Sequence, residues 1–142
     1  GMTDVTDTVD VWGGLERRGL RVGRDYLAFF DSTMARSWGD ARVADAIGEV
    51  LGDAGQRLDA PQLRAFGCHF PGGEYGIDIF LARPGVLIVP SFMGSQRIAA
   101  MHGYHPEHAF SRGCFMTTAS MPAPSSILGF KAHLQKVVRA RR

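Results

Sequence analysis

Residues 75–90, YGIDIFLARPGVLIVP, contain two apolar runs that flank Arg83, Pro84 and Gly85. Each run has the length of an ordinary β-strand. A proline followed by a glycine suits the central positions of a type II β-turn, because that turn requires a positive φ at its third residue. We therefore predict a β-hairpin over residues 75–90, although tight hairpins more often use the mirror-image turns.

Residues 25–33, DYLAFFDST, form an aromatic run that also has the length of a strand. This run is apolar on both faces, which predicts a central strand and not an edge strand. Downstream, Asp40 is a suitable N-cap for ARVADAIGEVL, in which apolar residues recur at helical spacing, and Gly52 or Gly55 can end that helix. This segment has the clearest helical pattern in the chain.

Two shorter helices are indicated by their capping residues. Asp10 precedes VWGGLERR, and Gly19 can end the helix that this segment predicts. Asp59 and Gln62, with Pro61 between them, resemble a capping box and predict one or two helical turns.

Residues 91–124 are rich in Gly, Ser, Pro, Met and His and show no lasting period. A segment of about 30 residues without regular structure is longer than an ordinary loop. Three explanations stay open: a functional loop, a segment ordered by a missing structural partner, or an error in the predicted elements. A C-terminal helix is predicted over residues 125–140, with Ser125 or Ser126 as its cap. Its apolar side would consist of Ile127, Leu128, Phe130, Leu134, Val137 and Val138.

The predicted element order is helix, strand, helix, short helix, hairpin, long loop and helix. This order indicates an α+β fold, with a small mixed or antiparallel sheet and helices on one face. A chain of 142 residues is long enough to bury its own core, so we predict a single domain over residues 1–142.

The charge balance argues against one class of partner. The formal net charge of +2 comes from 16 basic and 14 acidic residues, and the excess lies at the C-terminal end. This surplus is too small to indicate nucleic acid; a basic helix end that complements the helix dipole is favoured over a phosphate-binding tail. Because no run approaches the roughly 20 apolar residues of a membrane span and the N-terminus is acidic, we expect a cytoplasmic protein.

The two cysteines, Cys68 and Cys114, are far apart and show no metal-binding or redox spacing. We predict that both are reduced thiols with small, buried side chains. His69 follows Cys68, and on a strand these neighbours would face opposite ways, so they are not expected to chelate one ion together.

Asp31, Ser32 and Thr33 follow the predicted strand and superficially resemble a nucleophile at a strand end. There is no GxSxG pattern around them and no base nearby in the sequence. We therefore favour a structural role for the two hydroxyls, at the exit of the strand or as a helix cap, over a role as nucleophile. The loop FPGGEYG, residues 70–76, contains no Walker lysine and no GxGxxG pattern, so we predict a turn there.

The segment AAMHGYHPEHAF, residues 99–110, carries three histidines, His102, His105 and His108. Neutral imidazole is the commonest metal ligand in proteins, and functional residues concentrate on loops. The i, i+3, i+6 spacing would gather three rings on one helix face, but Gly103 and Pro106 disfavour a helix here. We therefore expect at most one or two of these rings to share a site.

The segment order carries a family resemblance. Three segments of the chain are arranged as in the C-terminal part of a known family. They are LAFFDSTMARSWGDARVADAIGEVL, FGCHFPGGEYGIDIFLARPGVLIVPSFMGS and MHGYHPE, with Ser111 a little beyond. The chain resembles type I phosphodiesterases and nucleotide pyrophosphatases of the alkaline phosphatase superfamily. The resemblance covers about residues 20–118, and its most specific piece is MHGYHP after the YGIDIFLARPG segment.

This resemblance implies two zinc ions and an in-line attack on phosphorus by a threonine or serine. The histidine of the HGY motif, here His102, would be a ligand of one zinc, Gly103 would let the backbone pass close to the metal, and Tyr104 would pack beside it. Many relatives have an aspartate at the position of His105, so neither His105 nor His108 is carried over as a ligand.

In the family, the nucleophile and most zinc ligands lie in an N-terminal α/β portion that has no counterpart in this sequence. The resemblance therefore implies the C-terminal portion of a hydrolase of small phosphodiesters or nucleotides, with no catalytic residue of its own and no activity alone. Its partner would be the N-terminal catalytic portion or a second copy of this chain. The alternatives are a free-standing binding or dimerisation module, marked by an exposed apolar patch, and a complete small metalloenzyme that uses His102, Cys114 and Asp31 or Ser32.

Overall fold

The computed structural model describes residues 2–21, 23 and 27–140, which fall into two compact units, Gly1–Arg112 and Gly113–Arg142. The elements of the first unit, in chain order, are β1 (Thr3–Asp4), β2 (Asp7–Val9), α1 (Val11–Arg17), β3 (Leu27–Phe30), β4 (Met34–Trp38), α2 (Ala41–Leu51), a 3₁₀ turn (Gly52–Ala54), β5 (Gly55–Leu58), α3 (Ala60–Ala65), β6 (Asp78–Ala82), β7 (Val86–Ile88), β8 (Ala100–Met101) and a 3₁₀ turn (Ala109–Ser111). The second unit contains a 3₁₀ turn (Ile127–Gly129) and α4 (Phe130–Ala140).

The centre of the first unit is a four-stranded antiparallel sheet with the order β3-β4-β6-β5. Phe30, Ala35 and Phe80 lie side by side on one face, because Ala35 is paired with both of the other two residues. Buried side chains of α1 and α2, including Leu15 and Ile47, pack on this face. The α+β prediction is confirmed.

The opposite face of the sheet carries a smaller cluster. Ile79 and Leu81 alternate with Phe80 along β6 and therefore point away from α2. They pack with Leu58 of β5 and Leu63 of α3. Helices thus contribute to both faces of the sheet and not to one face only.

The strand predicted over residues 25–33 is found as β3, but it lies at an edge of the sheet and not at its centre. Asp25 and Tyr26 lie outside the described residues. The chain turns after Phe30, and β4 takes the central position between β3 and β6. The apolar edge is covered by a later segment. The Phe92 N–H donates to the Phe30 carbonyl at 2.7 Å, and the Phe92 ring centroid lies 5.6 Å from that of Phe29. This cover explains why an apolar strand is found at an edge.

The predicted hairpin over residues 75–90 is wrong, because β6 and β7 do not pair with each other. Strand β6 lies between β4 and β5, whereas β7 pairs in parallel with β2. The turn itself forms as expected: the Val86 N–H donates to the Arg83 carbonyl at 3.1 Å, and Gly85 has a φ of +92°. The Gly85 carbonyl accepts the Thr6 N–H at 2.8 Å, so the N-terminal segment fills the place beside β7.

The three helices predicted from capping residues in the first unit are confirmed. The Asp10 carboxylate accepts the Gly13 N–H at 2.7 Å, and the Asp40 carboxylate accepts the Arg42 N–H at 2.9 Å. At the start of α3 a capping box joins Asp59 and Gln62. Each helix begins where a local side chain satisfies a free backbone donor.

Between residues 91 and 124 the regular structure consists of β8, which pairs with β1, and the turn Ala109–Ser111. In the second unit, the Phe115 ring packs against Phe130 and against His133, the buried residue of α4. Ser126 precedes the 3₁₀ turn but makes no side-chain cap. Within the parts of the chain that the structure describes, no helix is long and apolar enough to cross a membrane.

Candidate functional site

His102 lies immediately after β8, on the surface of the first unit. On its N-terminal side the backbone is held by the antiparallel pairs Met101–Thr3 and Ala100–Asp4. The ring has no hydrogen-bond partner among the described residues. An exposed, unpartnered imidazole therefore follows directly on an anchored strand.

Gly103 fixes the direction of the chain after His102. Its φ of +89° lies in the left-handed region, which side chains larger than glycine disfavour. The buried Thr33 hydroxyl donates to the Gly103 carbonyl at 3.0 Å. A Cβ at this position would lie 3.3 Å from the same hydroxyl oxygen. Glycine is therefore required here by backbone conformation and by the close approach of Thr33.

Tyr104 anchors the next step of the loop in the core. The residue is 5% exposed, and it packs with Ala82 and Val86. The phenol donates to the Val86 carbonyl at 3.3 Å. Burial raises the pKa of the Tyr104 phenol above its ordinary value of 10.0, against a smaller lowering by the Gly85 backbone. Together with Thr33, this contact holds the backbone on the C-terminal side of His102.

The structure does not gather a metal site from the histidine cluster. Among residues 2–21, 23 and 27–140, no three His, Cys, Asp or Glu side chains are arranged to hold a metal ion. His102 stays a predicted zinc ligand that would need partners from elsewhere. The reading in which this chain alone forms a metalloenzyme receives no support from the described residues.

His105 and His108 each make two contacts that orient the ring. Nδ1 of His105 accepts the Glu107 N–H at 3.3 Å, and its ring lies edge-on to Phe66 with centroids 5.1 Å apart. Nδ1 of His108 accepts the Phe110 N–H at 3.3 Å, and its ring lies 5.0 Å from the Phe110 ring. The Ser111 hydroxyl closes this part of the loop by donating to the His105 carbonyl at 2.9 Å.

An open cleft of about 520 Å³ lies beside these two imidazoles. Three segments line it: residues 53–62, residues 81–84 and residues 105–108. His102 does not line it. No sequence motif indicates this cleft, because its walls come from parts of the chain that only the tertiary fold brings together.

The other candidate residues have structural roles or stay unassigned. Ser32 and Thr33 are buried in the turn between β3 and β4, where the Ser32 hydroxyl lies 3.3 Å from the Ser91 hydroxyl. This arrangement confirms the reading of strand-exit hydroxyls. Residues 70–76 form turns, as predicted, with the Gly73 N–H donating to the Phe70 carbonyl at 2.9 Å.

Both cysteines are free thiols, as predicted, but the prediction that they are buried is wrong. Cys68 is exposed in the irregular segment after α3, so Cys68 and His69 are not on a strand. Its thiol donates to the Phe66 carbonyl at 3.5 Å. Cys114 is also exposed and belongs to the second unit.

Comparison of the chain with models of known protein families, with curated proteins and with solved structures found no match to any of them.

Proposed function

We propose that this chain is the C-terminal portion of a zinc-dependent phosphodiesterase or nucleotide pyrophosphatase, in which His102 is a ligand of one zinc ion. The observation that carries the proposal is the state of this imidazole. It is exposed and unpartnered among the described residues, while the backbone on both sides of it is anchored. Such a ring can join a metal site with little loss of conformational freedom.

Zinc, when bound, would activate an attacking oxygen and neutralise charge on the phosphoryl group. The contribution of this chain is one neutral imidazole, positioned through Gly103 and Tyr104. A catalytic zinc needs about three protein ligands. We therefore expect the 142-residue chain alone to bind zinc weakly and to leave a chromogenic phosphodiester unhydrolysed.

The native polypeptide provides the test. Antibody raised against this chain is used to capture the protein from lysate of the source cells, and its mass, zinc content and phosphodiesterase activity are measured. A zinc-containing, active polypeptide several times larger than 15.5 kDa would support the proposal. A metal-free polypeptide of 15.5 kDa would contradict it, as would turnover by the purified 142-residue chain that is lost in His102→Ala.

A matched pair of variants in the captured protein tests the assignment of His102. His102→Ala should lower the zinc content and abolish activity, whereas His69→Ala, which changes another surface histidine, should preserve both. Equal zinc content in the two variants would exclude His102 as a ligand.

A free-standing binding or dimerisation module is the second candidate, and a specific surface favours it. We define the aromatic patch as Phe29, Arg36, Phe70, Tyr75 and Phe92. The Arg36 guanidinium lies 4.6 Å from the Phe29 ring centroid and donates to the Tyr75 carbonyl at 3.3 Å, which joins the two aromatic pairs into one surface. Phe92 is 75% exposed. Exposed apolar surface of this kind marks interaction sites.

Light scattering over a range of protein concentrations tests this candidate. Dimerisation that is lost in Phe92→Ser but kept in Ile98→Ser, which changes an exposed apolar residue outside the patch, would support it. A monomer at every concentration would count against it.

A further inference from the structure

The cleft beside His105 and His108 points to a ligand site separate from His102. We propose that it binds a neutral, polyhydroxylated small molecule of the size of a monosaccharide. Its volume of about 520 Å³ falls in the range of roughly 300–1,000 Å³ typical of small-molecule sites. Because His102 does not line the cleft, this inference does not rest on the function proposed above.

The first step concerns the protons of the two imidazoles. A neutral imidazole carries its proton on one nitrogen and accepts through the other. Nδ1 of His105 and Nδ1 of His108 both accept a backbone N–H, so in each neutral ring the proton lies on Nε2. The cleft is therefore lined by two rings whose remaining nitrogen is a hydrogen-bond donor.

This tautomer disfavours a metal ion as the ligand. Binding a metal at Nε2 would move the proton to Nδ1, where it would face the Glu107 N–H in one ring and the Phe110 N–H in the other. Each ring would lose its backbone hydrogen bond, and the new Nδ1–H would point at the backbone N–H. The cleft is thus arranged for oxygen acceptors on the ligand and not for a cation.

The charges of the lining disfavour an anion as well. Asp53 and Glu107 contribute two carboxylates, against the single guanidinium of Arg83. The acidic side chains of the lining thus outnumber its guanidinium, and this excess opposes phosphate. An ammonium group would in turn face Arg83 and the two Nε2–H donors. A neutral ligand is repelled neither by the carboxylates nor by the guanidinium.

Hydroxyl groups match the mixture of donors and acceptors that remains, because each hydroxyl donates one hydrogen bond and accepts others. The carboxylates accept, whereas Arg83 and the imidazoles donate. Gln62 adds an amide donor, since its carbonyl oxygen already accepts the Asp59 N–H at 2.9 Å. Leu81 and Pro84 offer apolar surface to the C–H groups of a sugar ring.

Imidazole NMR of the full 142-residue chain tests the inference directly. Long-range ¹H–¹⁵N spectra should show unprotonated Nδ1 in both His105 and His108. Titration with D-ribose or D-glucose should shift both rings saturably without moving His69, whereas inorganic phosphate and zinc should not saturate these two rings. The absence of a saturable shift with both sugars, or saturation by phosphate or zinc at these rings, would overturn the proposal.

Paired variants add a second measurement. Asp53→Asn with Glu107→Gln keeps the side-chain shapes and replaces the charged acceptors, so sugar binding should weaken by about tenfold. Glu74→Gln, outside the cleft, should leave it unchanged. Unchanged affinity in the double variant, with its unfolding midpoint preserved, would contradict the assignment of these carboxylates.

Discussion

Gly14→Ala and Gly48→Ala add the same methyl group to two helices on the same face of the sheet, and we predict opposite effects on stability. In a helix interior, alanine is favoured over glycine by about 1 kcal/mol. At Gly48 the new Cβ would lie 3.6 Å from Cε1 of Phe80, an ordinary van der Waals contact. Gly48→Ala should therefore raise the free energy of unfolding by about 0.5–1 kcal/mol.

At Gly14 the same methyl has no room. Its Cβ would lie 2.6 Å and 2.7 Å from the two Cγ methyls of Val50, where α1 packs against α2. A helical valine has one strongly preferred χ1 rotamer, so neither methyl can swing away cheaply. Overpacking costs about 1–3 kcal/mol, which exceeds the gain in helix propensity. We expect Gly14→Ala to lower the free energy of unfolding by about 1–2 kcal/mol.

Urea unfolding followed by tryptophan fluorescence provides the assay, because Trp12 and Trp38 both belong to the first unit. Val50→Ala removes both opposing methyls, so the penalty of Gly14→Ala should disappear in that background, with a coupling of about 1–2 kcal/mol. The reasoning is refuted if Gly14→Ala is as stable as Gly48→Ala, or if its penalty is the same with and without Val50.

Three further predictions concern the His102 loop and α2. Gly103→Ala should lower the free energy of unfolding in urea by more than Gly39→Ala. Both glycines have a positive φ, at +89° and +82°, which costs a larger residue about 1–2 kcal/mol, but only the Cβ at position 103 would meet a hydroxyl, at 3.3 Å. Equal losses in the two variants would contradict the close contact. The raised pKa of Tyr104 means that above pH 10.0 the folded state keeps a proton that the unfolded state loses. Stability should therefore fall as the pH rises through this window, and a pH series of unfolding midpoints should show less of this slope in Tyr104→Phe. Asp40→Ala should lower the unfolding midpoint by removing the N-cap of α2, whereas Glu49→Ala should barely change it. Hydrogen bonds from Arg42 lower the pKa of Asp40, so the advantage of the wild type should shrink as the pH falls from above 3.8 through the lower folded-state value.

Features that depend on neighbouring residues could be predicted from the sequence. The helices that begin after Asp10, Asp40 and Asp59 follow from side chains that cap backbone donors two or three residues away. The turn at Pro84 and Gly85 follows from the conformational limits of those two residues alone.

Strand pairing could not be predicted in the same way, because it depends on distant partners. Strand β4, Met34–Trp38, lies in a segment for which the sequence pattern predicts no element, and β5 is only four residues long. The β7 run pairs with Asp7–Val9, a short segment with no apolar period of its own. Sequence pattern locates an apolar run but does not say which edge it will join.

The candidate site likewise combines a residue indicated by sequence with contacts that sequence does not predict. The assignment of His102 follows from the family resemblance alone, and its role as a metal ligand stays a prediction. The contacts that position it, from Thr33 to Gly103 and from Tyr104 to Val86, join residues 70 and 18 positions apart. No local pattern encodes them, and the cleft beside His105 was missed for the same reason.

The two pairings of the N-terminal segment also bear on the order in which the chain folds. Strands β1 and β2 pair with residues more than 75 positions later, whereas β3 and β4 are neighbours in sequence. Closing the longer loops costs more chain entropy before any contact repays it. We therefore expect the central sheet to form first and the backbone beside His102 to be fixed last. In native-state hydrogen exchange, the amide of Val5, bonded to the Ala99 carbonyl, should consequently open before the amides shared by β4 and β6.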